Sequence, residues 1–217
     1  MGMRSAASRR GGSMTALSLY LASRSPRREE LLRQLGIEFV SLRLRESSAR
    51  ERDFVEGAYD AEPALHYVER VARTKATVGW SRMQQRSMQP RPVLGADTEV
   101  VLDGKIFGKP HDDADAARML ALLSGRTHQV LTAVAISWEQ QTTVEISTSA
   151  VTFRELAGDE IERYVATGEP FDKAGAYAIQ GRAASWLSRI EGSYSGIMGL
   201  PLYETAQALA RIGFPVV

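Results

Sequence analysis

The amino-acid sequence predicts an α/β fold with a long mixed central sheet flanked by helices. In the first third of the chain, short apolar segments typical of strands alternate with segments of helical periodicity, a pattern that favours parallel strands. Near the middle, two long alternating segments stand on either side of a short polar turn, which indicates an antiparallel hairpin. A sheet that contains both kinds of pairing accounts for both observations.

The first half of the chain is predicted to hold two strands and two helices. The predicted segments are a strand over residues 17–22, a helix from 26, a strand over 37–44, a loop over 46–60, a helix from 63 and a polar surface loop over 82–91. Ser25 is a good N-cap, Pro26 suits the first helical position, and Gly36 suits the residue after the last turn. These three residues set the limits of the first helix.

The second half is predicted to be rich in strands. The predicted segments are a strand entered at Val93 that runs into Gly95-Ala96-Asp97-Thr98, further strand residues before a hairpin turn at Asp103-Gly104, a helix over 112–123, strands over 130–138 and 142–153, and helices over 159–166 and 202–212. Asp112, Asp113 and Asp115 are typical of a helix start, and that explanation suits them better than metal binding.

Length and composition favour one globular domain, expected over residues 16–217. A hydrophobic fraction of 44% and a charged fraction of 24% are ordinary for such a domain. The basic residues 1–15 are expected to be a disordered extension rather than a signal peptide, because the apolar stretch after them is short. No apolar run approaches the ~20 residues that cross a bilayer, so we expect a cytoplasmic protein without a membrane segment.

Charge and cysteine content exclude some classes of function. The formal net charge is +1, which argues against a protein that binds nucleic acid through overall charge. The chain has no cysteine, so thiolate catalysis is excluded and any metal must be held by oxygen or histidine ligands.

Arg27 and Arg28 fall in the first turn of the first predicted helix, where the helix dipole favours acids over cations. Each misplaced charge costs about 0.3–1 kcal/mol unless something compensates it. A bound anion would compensate both, since a helix N-terminus and two guanidinium groups together form a good phosphate site. Two solvated arginines, partly neutralised by Glu29 and Glu30, explain the pattern equally well, and both explanations stay open.

Lys75 lies on the helix predicted from residue 63, beside Val68 and Val71 at the margin of the apolar stripe. The commoner role for a lysine at this position is to extend its ammonium group into solvent. The alternative is that the ammonium group points into a cleft where the stripe ends.

Asp97 belongs to Gly-Ala-Asp-Thr, which we expect to end a strand. That position places a carboxylate at the carboxyl edge of the sheet, the usual side for ligands in α/β folds. If the Asp103-Gly104 hairpin folds back, Lys109 comes near Asp97, and the opposite charge favours the ionised carboxylate. Such an acid binds Mg²⁺ or accepts a proton from water, although a turn or capping aspartate explains the tetrapeptide alone.

The segment over residues 168–181, GEPFDKAGAYAIQG, places Asp172, Lys173, Tyr177 and Gln180 among glycines. Glycines of this kind permit turns or the close approach of backbone to another group. The amide of Gln180 can both donate to and accept from the edge of a nucleobase. A tight structural turn is the alternative. His128, which precedes a strand, is expected to be a structural residue with its hydrogen bonds satisfied.

The order of these blocks along the chain is specific. The segments LASRSPRREELL, VLGADT, GKP, LSGRTHQVLTAV, GEPFDKAGAYAIQG and GSYSGIMGLPL together resemble the Maf family of nucleotide pyrophosphatases. The resemblance runs from about residue 21 to residue 202. It implies an α/β structure with two lobes and a deep cleft, similar to that of inosine triphosphate pyrophosphatases. It also implies that this chain hydrolyses a nucleoside triphosphate to the monophosphate and pyrophosphate.

The resemblance also implies roles for individual residues. Asp97 matches the general base, and Arg27, Thr98 and Gln180 match positions linked to base preference. The positions that line the triphosphate cleft are matched by Ser23, Arg27, Arg28, Lys75 and Lys109. Family members use Mg²⁺ or Mn²⁺, so the resemblance implies a divalent cation. Family members are often homodimers, and the resemblance leaves that assembly open for this chain.

Two departures from the family pattern concern acids. The loop after the second strand usually carries two acids and a serine, whereas this chain has Arg45-Glu46-Ser47, which leaves Glu46 as a candidate metal ligand beside Asp97. Glu99 stands where the family usually has an aliphatic residue, and the sequence gives no reason for it.

Residues 172–181, DKAGAYAIQG, resemble the family branch that acts on dTTP and UTP. Three alternatives remain at this point. They are the sister branch that acts on methylated GTP, a nucleotide-binding regulator of septum formation without catalysis, and a nucleic-acid-binding protein, which the near-neutral charge disfavours.

Overall fold

A seven-stranded mixed sheet runs through the protein in this computed structural model, which describes residues 18–44 and 62–216. The strands are β1 (Ser18–Leu21), β2 (Glu38–Ser41), β3 (Val93–Leu102), β4 (Lys105–Phe107), β5 (Thr127–Trp138), β6 (Gln141–Phe153) and β7 (Leu187–Glu191). The α-helices are α1 (Pro26–Gln34), α2 (Ala64–Gln85), α3 (Asp113–Leu123), α4 (Gly158–Val165), α5 (Tyr194–Met198) and α6 (Leu202–Arg211). Two 3₁₀ turns, Ala174–Ala176 and Arg182–Trp186, complete the described elements.

The sheet has the strand order β2-β1-β3-β5-β6-β7, and β4 pairs with β3 as well. Strand β1 is parallel to both β2 and β3, whereas every other pair is antiparallel. The predicted mixed sheet is therefore confirmed, and so is the hairpin between β5 and β6. Its parallel part comes from the early alternation of strands and helices, and its antiparallel part from the hairpins that follow.

One edge of β3 is only partly covered. Strand β5 pairs with β3 along nearly its whole length, but on the other edge β1 stops pairing at Leu94 and β4 starts at Val100. Among the described elements, no strand pairs with residues 95–99 on that edge. This gap in the sheet separates two lobes and forms the floor of a cleft.

Helices cover both faces of the sheet. Helix α2 packs on one face, where Val68, Ala72 and Ala76 contact Leu131 and Ala133. On the other face, α1 and α6 lie at one end of the sheet and α3 and α4 at the other. The cleft lies between these two groups, so the α/β fold with two lobes that the sequence predicts is confirmed.

Three predicted boundaries are wrong. Residues 82–85, predicted as loop, continue α2, because the side chain of Met83 is only 1% exposed and extends the apolar face of the helix. Strand β3 does not end at Thr98 but continues to Leu102, since β5 pairs with it as far as Val101. The second strand is shorter than residues 37–44. Strand β7, helix α5 and the 3₁₀ turns were not predicted.

Some predictions fall outside the described residues. They concern the disordered extension over residues 1–15, the loop over 46–60 and the role of Glu46 as a metal ligand, and they stay predictions. Within residues 18–44 and 62–216, none of the helices combines the length and the apolar character needed to cross a membrane.

Candidate active site

A cavity of about 430 Å³ lies at the gap in the sheet. Its walls come from the segment after β1, from α2, from the uncovered part of β3, from the segment after β4 and from residues 172–180. Among residues 18–44 and 62–216, the charged side chains in the wall are six cations, Arg24, Arg27, Arg28, Lys75, Lys109 and Lys173, and three carboxylates, Asp97, Glu99 and Asp172. This excess of positive charge, in a volume typical of small-molecule sites, suits an anionic ligand.

Asp97 and Lys75 form a buried ion pair in this wall. The Nζ atom of Lys75 lies 2.9 Å from Oδ1 of Asp97, and the two residues are 7% exposed. The Oδ2 atom of Asp97 is also buried and has no hydrogen-bond partner among the described residues. One carboxylate oxygen is therefore fixed by the lysine, and the other is available to a ligand or a water molecule.

This pair corrects two expectations. Lys75 does not extend its ammonium group into solvent, because the helix that carries it lies directly over β3 and turns the side chain towards Asp97. Within the described ranges, the cation that pairs with Asp97 is Lys75 rather than Lys109. Lys109 follows β4 and lines the same cavity.

Gly95 explains how α2 comes so close to β3. A Cβ atom at this position would lie 2.6 Å from the backbone nitrogen of Ala76, 2.7 Å from the carbonyl oxygen of Ala72 and 2.9 Å from Cβ of Lys75. Only a residue without a side chain permits this packing. The glycine of Gly-Ala-Asp-Thr thus sets the distance over which Lys75 reaches Asp97.

Arg28 is held by three protein acceptors. Its Nε donates to the carbonyl oxygen of Gly199 at 2.8 Å, and its Nη1 and Nη2 donate to the hydroxyl oxygens of Ser23 and Thr98, each at 3.2 Å. The Thr98 hydroxyl also lies 3.0 Å from the hydroxyl of Thr132, whose own proton is donated to the carbonyl oxygen of Gly196 at 2.8 Å. This network fixes the guanidinium group of Arg28 at the cavity wall. It also joins α1 to the loop before α6, through Gly199, and to β3, through Thr98.

Arg27 and Lys173 both line the cavity and interact electrostatically. Burial lowers the pKa of Arg27, and nearby Asp172 partly opposes that shift. Burial also lowers the pKa of Lys173, and the positive charge of Arg27 lowers it further. Partly buried cations that repel each other are stabilised by an anion placed between them. Of the two explanations for the arginines in the first turn of α1, the cavity favours an anion site.

Backbone contacts hold the glycine-rich segment in place. The N–H of Gly175, in the left-handed region at φ +69°, donates to the carbonyl oxygen of Gly108 at 3.1 Å and so joins the segment to the residue before Lys109. The carboxylate of Glu169 accepts from the N–H of Arg182 at 3.0 Å and occupies the space that a side chain at Gly181 would need. Gln180 is thereby set in the cavity wall.

His128 and Tyr177 form a buried pair beneath this segment. The Nε2 atom of His128 and the hydroxyl of Tyr177 lie 2.8 Å apart, and both rings pack edge-on against Phe153. Burial lowers the pKa of His128 to about 4 and raises the pKa of the Tyr177 hydroxyl. His128 is therefore neutral at physiological pH and structural, as expected, but its hydrogen bonds are not all satisfied, because the buried Nδ1 has no partner among the described residues.

This burial predicts a pH dependence of stability. Since the pKa of His128 is lower in the folded chain than its ordinary 6.5, the unfolded chain binds the proton more tightly. The free energy of unfolding therefore has its full value above about pH 6.5. It falls by up to about 3 kcal/mol as the pH drops to about 4. In His128→Gln, the free energy of unfolding should depend less on pH over this range. Urea unfolding of the wild-type protein and the variant between pH 4.5 and 7.5 measures this dependence. The same pH dependence in both proteins would contradict the role of His128.

The cavity gathers all eight of the site residues that the sequence singles out within the described ranges. They are Ser23, Arg27, Arg28, Lys75, Asp97, Thr98, Lys109 and Gln180. Sequence reasoning gave no role to Arg24, Lys173 or Glu99, which also line it. Arg24 directly precedes the N-cap of α1, so its position beside Arg27 and Arg28 was a usable signal.

The described residues could hold a divalent cation together with substrate phosphates, but not alone. They contain no group of three or more histidine, aspartate or glutamate side chains that could hold a metal alone. Asp97 lines the cavity, and its buried Oδ2 has no hydrogen-bond partner among the described residues. Magnesium sites often consist of one or two carboxylates plus substrate phosphates, and the cavity suits that arrangement.

The fold and the cavity are those of an α/β protein whose cleft suits a polyphosphate ligand. The Maf-like protein family matches residues 18–212, and the chain belongs to this family.

Relatives of known name are similar along nearly their whole length. A dTTP/UTP pyrophosphatase of Aromatoleum aromaticum is 56% identical over 199 residues, which cover 91% of this chain and 97% of that protein. Proteins of the same name from Nitrosomonas europaea and Nitrosospira multiformis are 50% and 55% identical, over 91% and 88% of this chain and 96% and 92% of their own. Among solved structures, the Ham1 protein of Staphylococcus aureus has a TM-score of 0.42 at 13% identity, over 78% of this chain and 90% of that one.

Proposed function

We propose that this chain hydrolyses dTTP and UTP, or modified pyrimidine nucleotides, to the monophosphate and pyrophosphate, with Asp97 as general base. The observation that carries the proposal is the Asp97 carboxylate, which has one oxygen fixed by Lys75 and the other without a hydrogen-bond partner in the described part of the chain, in a cavity that six of the described cations line. Relatives named dTTP/UTP pyrophosphatase, at 50–56% identity, support the substrate class.

Hydrolysis begins with a water molecule at the α-phosphorus. Oδ2 of Asp97 accepts the proton of this water while Oδ1 stays bonded to Lys75, so the base keeps its orientation throughout the step. The new P–O bond forms as the bond to the β-phosphate oxygen breaks, and pyrophosphate leaves with the electron pair. A lysine on a rigid helix thereby positions the base for one direction of attack.

The cations bind the triphosphate and stabilise the leaving group. Arg27, Arg28 and Lys109 surround the cavity, and their charges oppose the negative charge that builds up on pyrophosphate. Ser23 orients Arg28 through its hydroxyl oxygen. Asp97 would hold a divalent cation, Mg²⁺ or Mn²⁺, together with substrate phosphates, and Glu46 stays a proposed further ligand. When bound, the cation neutralises phosphate charge and lowers the pKa of a coordinated water.

Base preference is assigned to Gln180, Thr98 and Arg27. The Gln180 amide has one donor group and one acceptor group for the base edge, and the Glu169 contacts keep the turn after it fixed. The Thr98 hydroxyl accepts from Arg28 and bonds to the hydroxyl of Thr132, so it is held at a fixed position in the cavity wall. The homodimer, the cytoplasmic location and the absence of nucleic-acid binding stay predictions.

A nucleotide panel with Mg²⁺, followed by separation of the products, tests the proposal. Wild-type protein should release pyrophosphate from dTTP and UTP at least about tenfold faster than from purine nucleotides, a gap of about 1.4 kcal/mol. Gln180→Ala should narrow that gap, because the amide no longer pairs with the base. Binding without any product would support a regulator instead, and faster cleavage of methylated GTP would place the chain in the sister branch.

A further inference from the structure

We propose that Lys173 is a further substrate-binding residue, which holds the terminal phosphate of the nucleoside triphosphate together with Arg27. This role rests on the proposed function of the site, and the mechanism above makes no use of Lys173. The Lys173 side chain lines the cavity and is partly buried. An ammonium group that loses part of its hydration needs other hydrogen-bond partners, and those of Lys173 can be named.

Two main-chain carbonyl groups hold the ammonium group of Lys173. Its Nζ donates to the carbonyl oxygen of Glu169 at 2.6 Å and to that of Phe171 at 3.3 Å. An ammonium group has three protons, so one remains, and it has no acceptor among residues 18–44 and 62–216. Lys173 is therefore fixed by neutral acceptors that do not cancel its charge, and it keeps one donor for a ligand.

The main chain on both sides of Lys173 is also fixed. Before it, Asp172 has a left-handed φ of 61°, in the turn onto which the Lys173 side chain folds back. After it, the N–H of Ala176 donates to the carbonyl oxygen of Lys173 at 3.1 Å, and Gly175 packs so closely on β3 that a Cβ atom there would lie 2.8 Å from Cγ2 of Val100. The ammonium group thus has a defined position before any ligand binds, which lowers the entropic cost of binding.

The positive charge around Lys173 is not balanced by the protein. Burial lowers the pKa of Lys173, and the positive charge of Arg27 lowers it further, so the two cations lie close enough to repel each other. Glu169 and Asp172 oppose that shift, but neither forms an ion pair with Lys173 or Arg27 in the described part of the chain. An anion between Arg27 and Lys173 would remove the repulsion and accept the remaining proton of Lys173.

The charge of this pair indicates which group of the substrate it binds. At neutral pH the terminal phosphate of a nucleoside triphosphate carries about two negative charges, whereas each inner phosphate carries one and a pyrimidine base carries none. Arg27 offers a planar set of N–H donors and Lys173 a compact positive charge, and proteins use both kinds of contact to bind phosphate. The terminal phosphate is therefore the best electrostatic match for the two cations.

Calorimetric titration of Lys173→Gln with α,β-methylene-UTP and with UMP, at a fixed Mg²⁺ concentration, tests this role without turnover. The first ligand has all three phosphates and a P–C–P bridge that resists hydrolysis, whereas UMP has only the phosphate next to the sugar. We expect the affinity for α,β-methylene-UTP to fall about tenfold or more, because a hydrogen bond between charged groups is lost. The affinity for UMP should change by less than about threefold, as for a screened charge at a distance.

Lys105→Gln is the matched control, since it is the same change at an exposed lysine of β4 outside the cavity wall. It should bind both ligands as the wild-type protein does. Unchanged affinity of Lys173→Gln for α,β-methylene-UTP, or an equal loss for both ligands, would overturn the role of Lys173, even if the wild-type protein hydrolyses UTP. A selective tenfold loss in a protein that hydrolyses no nucleotide would support this role and overturn the proposed function.

Amine labelling of the wild-type protein gives a second measurement, which does not depend on the folding of a variant. The lowered pKa of Lys173 leaves more of its amine neutral and therefore reactive towards acetic anhydride. Mass spectrometry should find that α,β-methylene-UTP and pyrophosphate slow the acetylation of Lys173, whereas UMP does not. Equal protection of Lys173 by UMP would contradict a contact with the terminal phosphate.

Discussion

Asp97→Asn is expected to lose about 10²–10⁴ of the turnover number on UTP, the usual contribution of a positioned general base. An amide cannot accept the proton of water, but its carbonyl oxygen still accepts the hydrogen bond from Lys75. The cations of the cavity are unchanged, so the nucleotide should still bind. Steady-state kinetics and calorimetric titration with α,β-methylene-UTP measure the two effects separately.

Asp103→Asn is the matched control for this change. Asp103 lies at the turn after β3, is exposed and pairs with Arg126 on the surface. Its φ of 50° is in the left-handed region, which asparagine tolerates as well as aspartate does. Turnover should be unchanged in this variant. Near-normal turnover in Asp97→Asn would exclude Asp97 as the base, whatever the control shows.

Gly95→Ala is expected to destabilise the protein by about 1–3 kcal/mol or more, because the new methyl group meets the backbone of α2 at 2.6–2.7 Å. For a chain of this length, a loss of about 1–3 kcal/mol corresponds to a fall in Tm of roughly 2–12 °C. Helix α2 must move outwards and take Lys75 away from Asp97. Turnover should therefore fall together with stability, although no charged group is changed.

Gly158→Ala supplies the comparison for a glycine without such contacts. A Cβ at Gly158 meets no heavy atom within 4 Å, so the change should alter stability by no more than about 0.5 kcal/mol. Thermal melts and UTP kinetics on both variants are sufficient. A Gly95→Ala protein with the Tm and turnover of the wild type would show that α2 does not depend on this close approach.

The sequence predicted the local features of the fold better than the contacts between them. The helix start at Ser25 and Pro26, the hairpin between β5 and β6 and the helix start at Asp112 follow from local rules, and the structure has them, although the side chain of Ser25 makes no capping hydrogen bond. The continuation of β3 past Thr98 and of α2 past residue 82 depends on pairing and packing with distant segments. No local pattern contains that information.

The candidate site shows the same division. Its residue types could be named from motifs, but the partner of Asp97 could not, because Lys75 reaches it only through the packing of α2 on Gly95. The hydrogen-bond acceptors that hold the guanidinium group of Arg28 include a residue 171 positions away, Gly199. Nothing in the sequence explained Glu99. That it lines the same cavity as Asp97 could not be predicted, because it depends on how the strands of the sheet are arranged.

The incomplete covering of β3 has a consequence for how this protein recognises its ligand. The N–H of Ala22 donates to the carbonyl oxygen of Leu94, and the main-chain groups of Thr98, four residues further along β3, point to the same edge of the strand, beside the cavity. Amide and carbonyl groups there can serve a ligand as a neighbouring strand would. Because no side-chain replacement deletes them, alanine scanning of the cavity would understate the affinity, and only an amide-to-ester exchange at Thr98 would measure their share.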